Sequence, residues 1–150
     1  MKKLYFAYGS NLNLKQMRQR CPDSKVYSAA ILKDYSLVFR GVADIVKEKK
    51  QKVQGILFEV SKNDIVKLDA YEGYPMLYKR IKIVVNIGNK EVEAFAYKMV
   101  NGYSFELPDK GYFDIIYEGY LNNSLNTKHL MQGLIDVLNY NYQTGLQINL

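Results

Sequence analysis

Leu4-Tyr5-Phe6-Ala7-Tyr8-Gly9-Ser10-Asn11-Leu12 runs from an apolar, aromatic stretch into a polar break. Residues 4–8 read as a short buried strand, because aromatic and aliphatic side chains follow one another without a charge. Gly9-Ser10-Asn11 interrupts that strand, and residues 13–20 read as a short helix that Pro22 ends. Strand, tight turn and helix in this order have the shape of an anion site. Gly9 permits a sharp turn and a close approach to the main chain. Ser10 and Asn11 bring their amides to the start of a helix, where unpaired N–H groups favour negative charge. On its own, the pattern is also that of an ordinary turn.

Beyond it, residues 26–40 read as strand material with a turn near Lys33-Asp34, and residues 41–52 as a polar loop. Residues 53–60 form a further strand. Ser61-Lys62-Asn63-Asp64 has the shape of a capping box, with Asp in place of the usual Glu or Gln. In the helix that starts there, Ile65, Leu68 and Glu72 share one face by their i, i+3 and i+7 spacing. Gly73 and Pro75 stop it, so Glu72 stands at a helix C-terminus behind two apolar residues of its own stripe.

Residues 78–87 and 91–100 are strand-like, joined by a Gly88-Asn89 hairpin turn. Residues 110–122 are helical, with Ile115 and Ile116 inward. Residues 127–142 are the clearest amphipathic helix, with Leu130, Met131, Leu134, Ile135 and Leu138 as the core stripe. Strands come first and helices collect late, which favours α+β over an alternating α/β sheet. A length of 150 residues suits one domain over 1–150.

Composition narrows the chemistry. Hydrophobic residues at 48% and charged residues at 24% are near the globular average, so wholesale disorder is excluded. No stretch approaches the roughly 20 apolar residues of a membrane span. The N-terminal apolar run stops at Tyr8, too short for the apolar core of an export signal. The single Cys21 excludes an intramolecular disulfide framework and a Cys-based zinc site, which points to a reduced, cytoplasmic setting. Beside Pro22, Cys21 reads as a packing residue. A net charge of +6 raises the question of nucleic acid, but only four of the 21 basic residues are Arg. The densest basic run, Lys47-Glu48-Lys49-Lys50-Gln51-Lys52, reads as a solvated loop, so no nucleic-acid partner is expected. A weaker consequence of the charge is attraction of anionic substrates.

The one His129 falls in the C-terminal helix pattern, as a flank residue. No motif brings the scarce His and Cys together for nucleophilic catalysis. No phosphate-binding loop, dinucleotide fingerprint or carboxylate cluster at metal spacing appears, so neither a metal nor a cofactor is expected. Glu72 is the remaining candidate for acid/base work. A helix C-terminus disfavours a negative charge and partial burial adds to that, so its pKa is expected to be raised. A carboxylate so raised can take and return a proton near neutral pH. The plain alternative is a salt bridge to Lys79 or Arg80.

At this point the residues reach a known family. The stretch 4–12 resembles the signature of γ-glutamylcyclotransferases. The likeness continues at Gly55-Ile56-Leu57-Phe58-Glu59-Val60, Leu68-Asp69-Ala70-Tyr71-Glu72-Gly73, Tyr78-Lys79-Arg80, Ala94-Phe95-Ala96-Tyr97 and Gly111-Tyr112. It spans roughly residues 3 to 138. The resemblance implies a mixed α/β fold with a small, strongly bent, barrel-like sheet and flanking helices. It also implies an enzyme that releases 5-oxoproline from a small-molecule substrate, a γ-glutamyl amino acid or γ-glutamyl amine, with Glu72 as the acid/base. Tyr5, Tyr8, Gly9, Ser10 and Asn11 would then line the glutamyl site, and Tyr112 would be a later pocket tyrosine. The substrate's own α-amine attacks its γ-carbonyl, so no protein nucleophile is needed. The amides of Gly9, Ser10 and Asn11 would hold either the α-carboxylate or the γ-carbonyl oxygen. A binding module that keeps the pocket without turnover is the alternative, and a γ-glutamyl assay separates the two.

Overall fold

The computed structural model describes residues 2–144. Ten elements follow one another. β1 (Lys3–Ala7) leads into a 3-10 turn (Ser10–Leu12) and α1 (Leu14–Arg20). β2 (Lys25–Phe39), β3 (Ala43–Val60) and α2 (Lys62–Glu72) come next. β4 (Tyr78–Ile87), β5 (Lys90–Met99), α3 (Lys110–Asn122) and α4 (Lys128–Thr144) complete the chain. The strands close into a barrel in the order β1-β3-β2-β4-β5, with β5 meeting β1 in parallel at Tyr5 opposite Phe95. The other neighbours are antiparallel. The two longest helices come last while α1 and α2 fall between strands, and the fold is the expected α+β with a small barrel-like sheet.

The region read as a polar loop, residues 41–52, is instead mostly strand. β3 starts at Ala43 and pairs with β2 from Phe39 opposite Ala43 down to Lys25 opposite Glu59. The true turn is residues 40–42. Exposed lysines along 47–52 hide the strand because that end of the hairpin buries little, while backbone pairing does not need apolar side chains. The turn expected near Lys33-Asp34 is a β-bulge: Asp34 takes a left-handed φ of 62°, and its carboxylate accepts from the Lys50 amide at 3.0 Å.

Gly55 marks the tightest crossing in the barrel. A Cβ there would lie 2.5 Å from the Ala7 carbonyl oxygen and 2.5 Å from the Phe6 ring. Gly55→Ala is therefore expected to destabilise by about 1–3 kcal/mol, read as a lower urea midpoint with an unchanged slope. Equal midpoints would show that β1 and β3 can separate freely.

The Ser61 cap forms as expected: its Oγ accepts from Asp64 N at 3.1 Å, and Asp64 Oδ2 accepts from Ser61 N at 3.0 Å. On α4 the inward stripe is rotated from the expected one. Leu130 and Val137 are buried, while Ile135 and Leu138 are 46% and 37% exposed. The cause is Gly133, which sits against the Phe39 ring of β2 and pulls the contact line to residues 130, 133 and 137. Ile116 is fully buried and Ile115 half-buried. Cys21 packs in the core, and burial pushes its thiol up to about 12, which keeps it protonated. Among the described residues no helix is long and apolar enough to cross a membrane.

Candidate active site

The C-terminal end of β1 opens into a cavity of about 220 Å³. All seven residues named from the sequence line it: Tyr5, Tyr8, Gly9, Ser10, Asn11, Glu72 and Tyr112. Tyr71, Ala43, Leu77, Tyr78 and Tyr97 line it as well. A larger, more open depression of about 690 Å³ lies over β1, β4 and β5, but it contains none of the seven. Among the described residues no cluster of His, Cys, Asp or Glu stands ready to hold a metal ion.

Glu72 reaches the cavity because its helix ends abruptly. Gly73 adopts the left-handed conformation (φ 67°), and the Tyr74 and Gly73 amides donate back to the Asp69 and Ala70 carbonyls at 2.9 and 3.3 Å. This pair of bonds is a Schellman motif, which terminates α2 and leaves Glu72 as its last helical residue. Burial pushes the Glu72 carboxyl up to about 7 from its ordinary 4.5, and the Arg20 guanidinium pulls the other way. The salt bridge weighed from the sequence does not form. Arg80 pairs with Asp69 at 3.4 Å and lies over the Tyr74 ring, and Lys79 is exposed. Among the described residues no group forms an ion pair or hydrogen bond with Glu72.

The turn of residues 9–11 lines the same cavity. Among the described residues the amide N–H groups of Gly9, Ser10 and Asn11 have no acceptor outside the turn; the turn's internal bonds run from Leu12 N to Gly9 O and from Asn13 N to Ser10 O. A Cβ on Gly9 would stand 3.3 Å from the Ala43 side chain and 3.7 Å from the Tyr112 hydroxyl, so glycine lets the turn lie close against both. The Asn11 side chain has a fixed orientation. Arg20 donates to its Oδ1, so its Nδ2 is the group that donates to the Tyr5 hydroxyl at 2.9 Å.

Six tyrosines stand in the wall, and burial raises the pKa of five of them, Tyr5, Tyr8, Tyr78, Tyr97 and Tyr112, so these five remain neutral phenols. Three spend their hydroxyl hydrogens on the protein. Tyr8 donates to the Tyr97 carbonyl, Tyr78 to the Ala43 carbonyl at 2.6 Å, and Tyr97 to Asp69 Oδ1 at 2.6 Å. The other two are acceptors: Tyr5 from Asn11, and Tyr112 from the Ala43 amide at 3.0 Å. Tyr5 and Tyr112 therefore each keep a hydroxyl hydrogen to offer a ligand.

Tyr71, Ala43, Tyr78 and Tyr97 were not assigned to the site from sequence. Tyr71, Tyr78 and Tyr97 stand inside stretches that carry the family likeness, which was the available signal. Ala43 gave none, because it fell in the misread loop.

A family model described as "Gamma-glutamyl cyclotransferase, AIG2-like" matches residues 5–120. Proteins named gamma-glutamylcyclotransferase from Bos taurus and Homo sapiens are 32% and 31% identical to this chain, over 81% of it and 72% of each relative. A solved structure titled "Gamma-glutamyl cyclotransferase" superposes with a TM-score of 0.80 at 28% identity, covering 88% of this chain and 86% of that one. With the family model covering most of the barrel and two relatives above 30% identity, the chain belongs to the gamma-glutamyl cyclotransferase, AIG2-like family.

Proposed function

We propose that this chain is a cyclotransferase that releases 5-oxoproline from γ-glutamyl amino acids or γ-glutamyl amines, with Glu72 as the acid/base. The observation that carries this is a half-buried carboxylate that, among the described residues, has no ion pair or hydrogen bond, in the same cavity as the amides of Gly9, Ser10 and Asn11.

The chemistry moves two protons in all from the α-nitrogen to the departing amine. The substrate's α-ammonium must lose a proton before its nitrogen can attack, and the Glu72 carboxylate takes it. The nitrogen then adds to the γ-carbonyl carbon, forming the C–N bond of a five-membered ring. As the tetrahedral intermediate collapses, the bond to the departing amine breaks, Glu72 gives its proton to that nitrogen, and the ring nitrogen loses its second proton, which leaves on the amine as its ammonium. Nothing is oxidised and no water is consumed. A carboxyl titrating near 7 suits both directions, since neither transfer is steeply uphill. The free amides of Gly9, Ser10 and Asn11 are available to the α-carboxylate or the γ-carbonyl oxygen, and the Tyr5 and Tyr112 hydroxyls supply further donors. A cavity of about 220 Å³ is below the roughly 300–1,000 Å³ of drug-sized sites, which suits a folded glutamyl unit with the departing amine toward the mouth. Holding that unit bent converts ring closure into a near-attack geometry, worth roughly 7–11 kcal/mol at best.

The test is a panel of γ-glutamyl amino acids and amines, with 5-oxoproline and free amine measured together. The expected result is equal release of the two from at least one member. Folded protein that binds a panel member without releasing either product is a binding module instead.

A further inference from the structure

We propose that Arg20 is a positioning residue of the ring closure, tying the donor turn of residues 9–11 to the end of the helix that carries Glu72. The inference rests on the cyclotransferase function above.

Arg20 is the last residue of α1, and its guanidinium makes three contacts on three different elements. One nitrogen donates to Asn11 Oδ1, on the 3-10 turn. Another donates to Gln16 Oε1 at 3.1 Å, which anchors the group to its own helix. The plane lies over the Tyr71 ring, with 3.3 Å from the guanidinium carbon to the ring centre. Tyr71 is the residue before Glu72, and its hydroxyl is 3.0 Å from Ser10 Oγ on the same turn. A closed circuit results: Arg20 to Asn11, along the turn to Ser10, across to Tyr71 and back to Arg20. Both sides of the cavity that ring closure needs are members of it.

The planar fork is what allows this. A guanidinium can donate in two directions and stack at the same time, while an ammonium cannot. By fixing Asn11 Oδ1, Arg20 also turns Nδ2 toward Tyr5 and so orders the floor of the cavity. There is an electrostatic consequence. The groups that face Glu72 are Tyr5 from β1, Tyr8 just after it, Tyr71 from its own helix, Tyr78 from β4, Tyr97 from β5, Tyr112 from α3 and Arg20 from α1. Arg20 is the cation among them. Removing it moves the Glu72 titration to higher pH.

The experiment compares native protein with Arg20→Met, Arg20→Lys and Tyr71→Leu in the 5-oxoproline assay, with thermal melts alongside. Arg20→Met is expected to lose about 100-fold in kcat, the loss that a misplacement of about 1 Å brings, and its kcat/KM profile shifts to higher pH on the acidic side. Arg20→Lys restores the charge and with it much of the pH profile, but not kcat. Arg20→Met and Tyr71→Leu combined lose less than the product of their separate losses, because they break one circuit. Guanidinium ion added at millimolar concentration restores part of the activity of Arg20→Ala. Native kcat in Arg20→Met or in Arg20→Lys overturns the proposal. So does a loss that follows the melting temperature alone, with no change in pH profile and no rescue. A native protein silent on every substrate overturns the activity and this role together, whereas active native protein with indifferent variants overturns the role alone.

Discussion

Glu72→Gln is expected to lose roughly 10²–10⁴ of its turnover and to melt at a higher temperature than the native protein above pH 7. The first effect follows from the proposed role, since glutamine keeps the shape of the side chain but cannot accept the α-ammonium proton. The second follows from linkage. The Glu72 carboxyl titrates near 7 in the folded chain and near 4.5 when exposed. Between those values the folded state holds a proton that the unfolded state has released, so stability falls as pH rises through this window. The whole penalty, about 3 kcal/mol, is present above pH 7. A neutral side chain escapes it. Melting curves of the two proteins should therefore coincide below pH 4.5, diverge between 4.5 and 7, and stay apart by several degrees above 7. In the native enzyme kcat/KM should rise over the same range, because the free enzyme needs the carboxylate form. A constant gap in melting temperature at every pH would falsify the burial of an unpaired carboxylate. Full turnover in the variant would remove Glu72 from the mechanism.

The opposing trends have one cause. The desolvation that destabilises the charged fold is also what brings the carboxyl to a useful pKa, so activity and stability are traded at one residue. Arg20 moderates the trade without ending it, because its guanidinium is bonded to Asn11 and Gln16 and not to Glu72. A direct ion pair would lower the pKa and remove the base from the range where it can return a proton.

Local punctuation made much of this site legible in the sequence. Gly9 after an aromatic strand and Gly73 after an amphipathic turn each mark where the backbone must stop, and the two stops put the donor turn and Glu72 at element ends. The Ser61 cap fixes where α2 begins, and so where its stripe of Ile65, Leu68 and Glu72 points. What could not be read depends on partners distant in the chain. The lysine-rich start of β3 is a strand only because β2 is there to pair with it. Tyr97 and Tyr78 reach the cavity through barrel register, and Arg20 gains its role only where α1 passes Tyr71. Gly133 rotates α4 through its contact with Phe39, a packing event that periodicity alone does not contain.

Gly119→Ala is expected to cost about 1–3 kcal/mol of stability and, beyond that, about 100-fold in kcat. Gly119 lies on α3, far in sequence from the turn of residues 9–11, yet a Cβ there would stand 2.6 Å from Asn13 N, 2.6 Å from Leu12 C and 2.8 Å from Leu12 Cβ. Two of those atoms are backbone, so no side-chain rotation relieves the clash. Alanine favours a helix by about 1 kcal/mol over glycine, but a contact this short outweighs the gain and the elements must part. They are tied where they touch. Asn13 Nδ2 donates to the Ile115 carbonyl at 3.1 Å and to Glu118 at 3.0 Å, and Asn123 Nδ2 donates to the Leu12 carbonyl at 2.8 Å. Pushing α3 away thus strains the turn that carries the free amides. It also moves Tyr112, near the other end of the same helix, off its bond with the Ala43 amide. Both changes fall on the cavity, so activity should fall further than stability predicts. Gly111→Ala on the same helix is the control, because its Cβ would meet only the Asp109 carboxylate, at 3.3 Å. Thermal melts and steady-state rates on the pair decide the matter: native kcat in Gly119→Ala would show that α3 does not hold the turn in place.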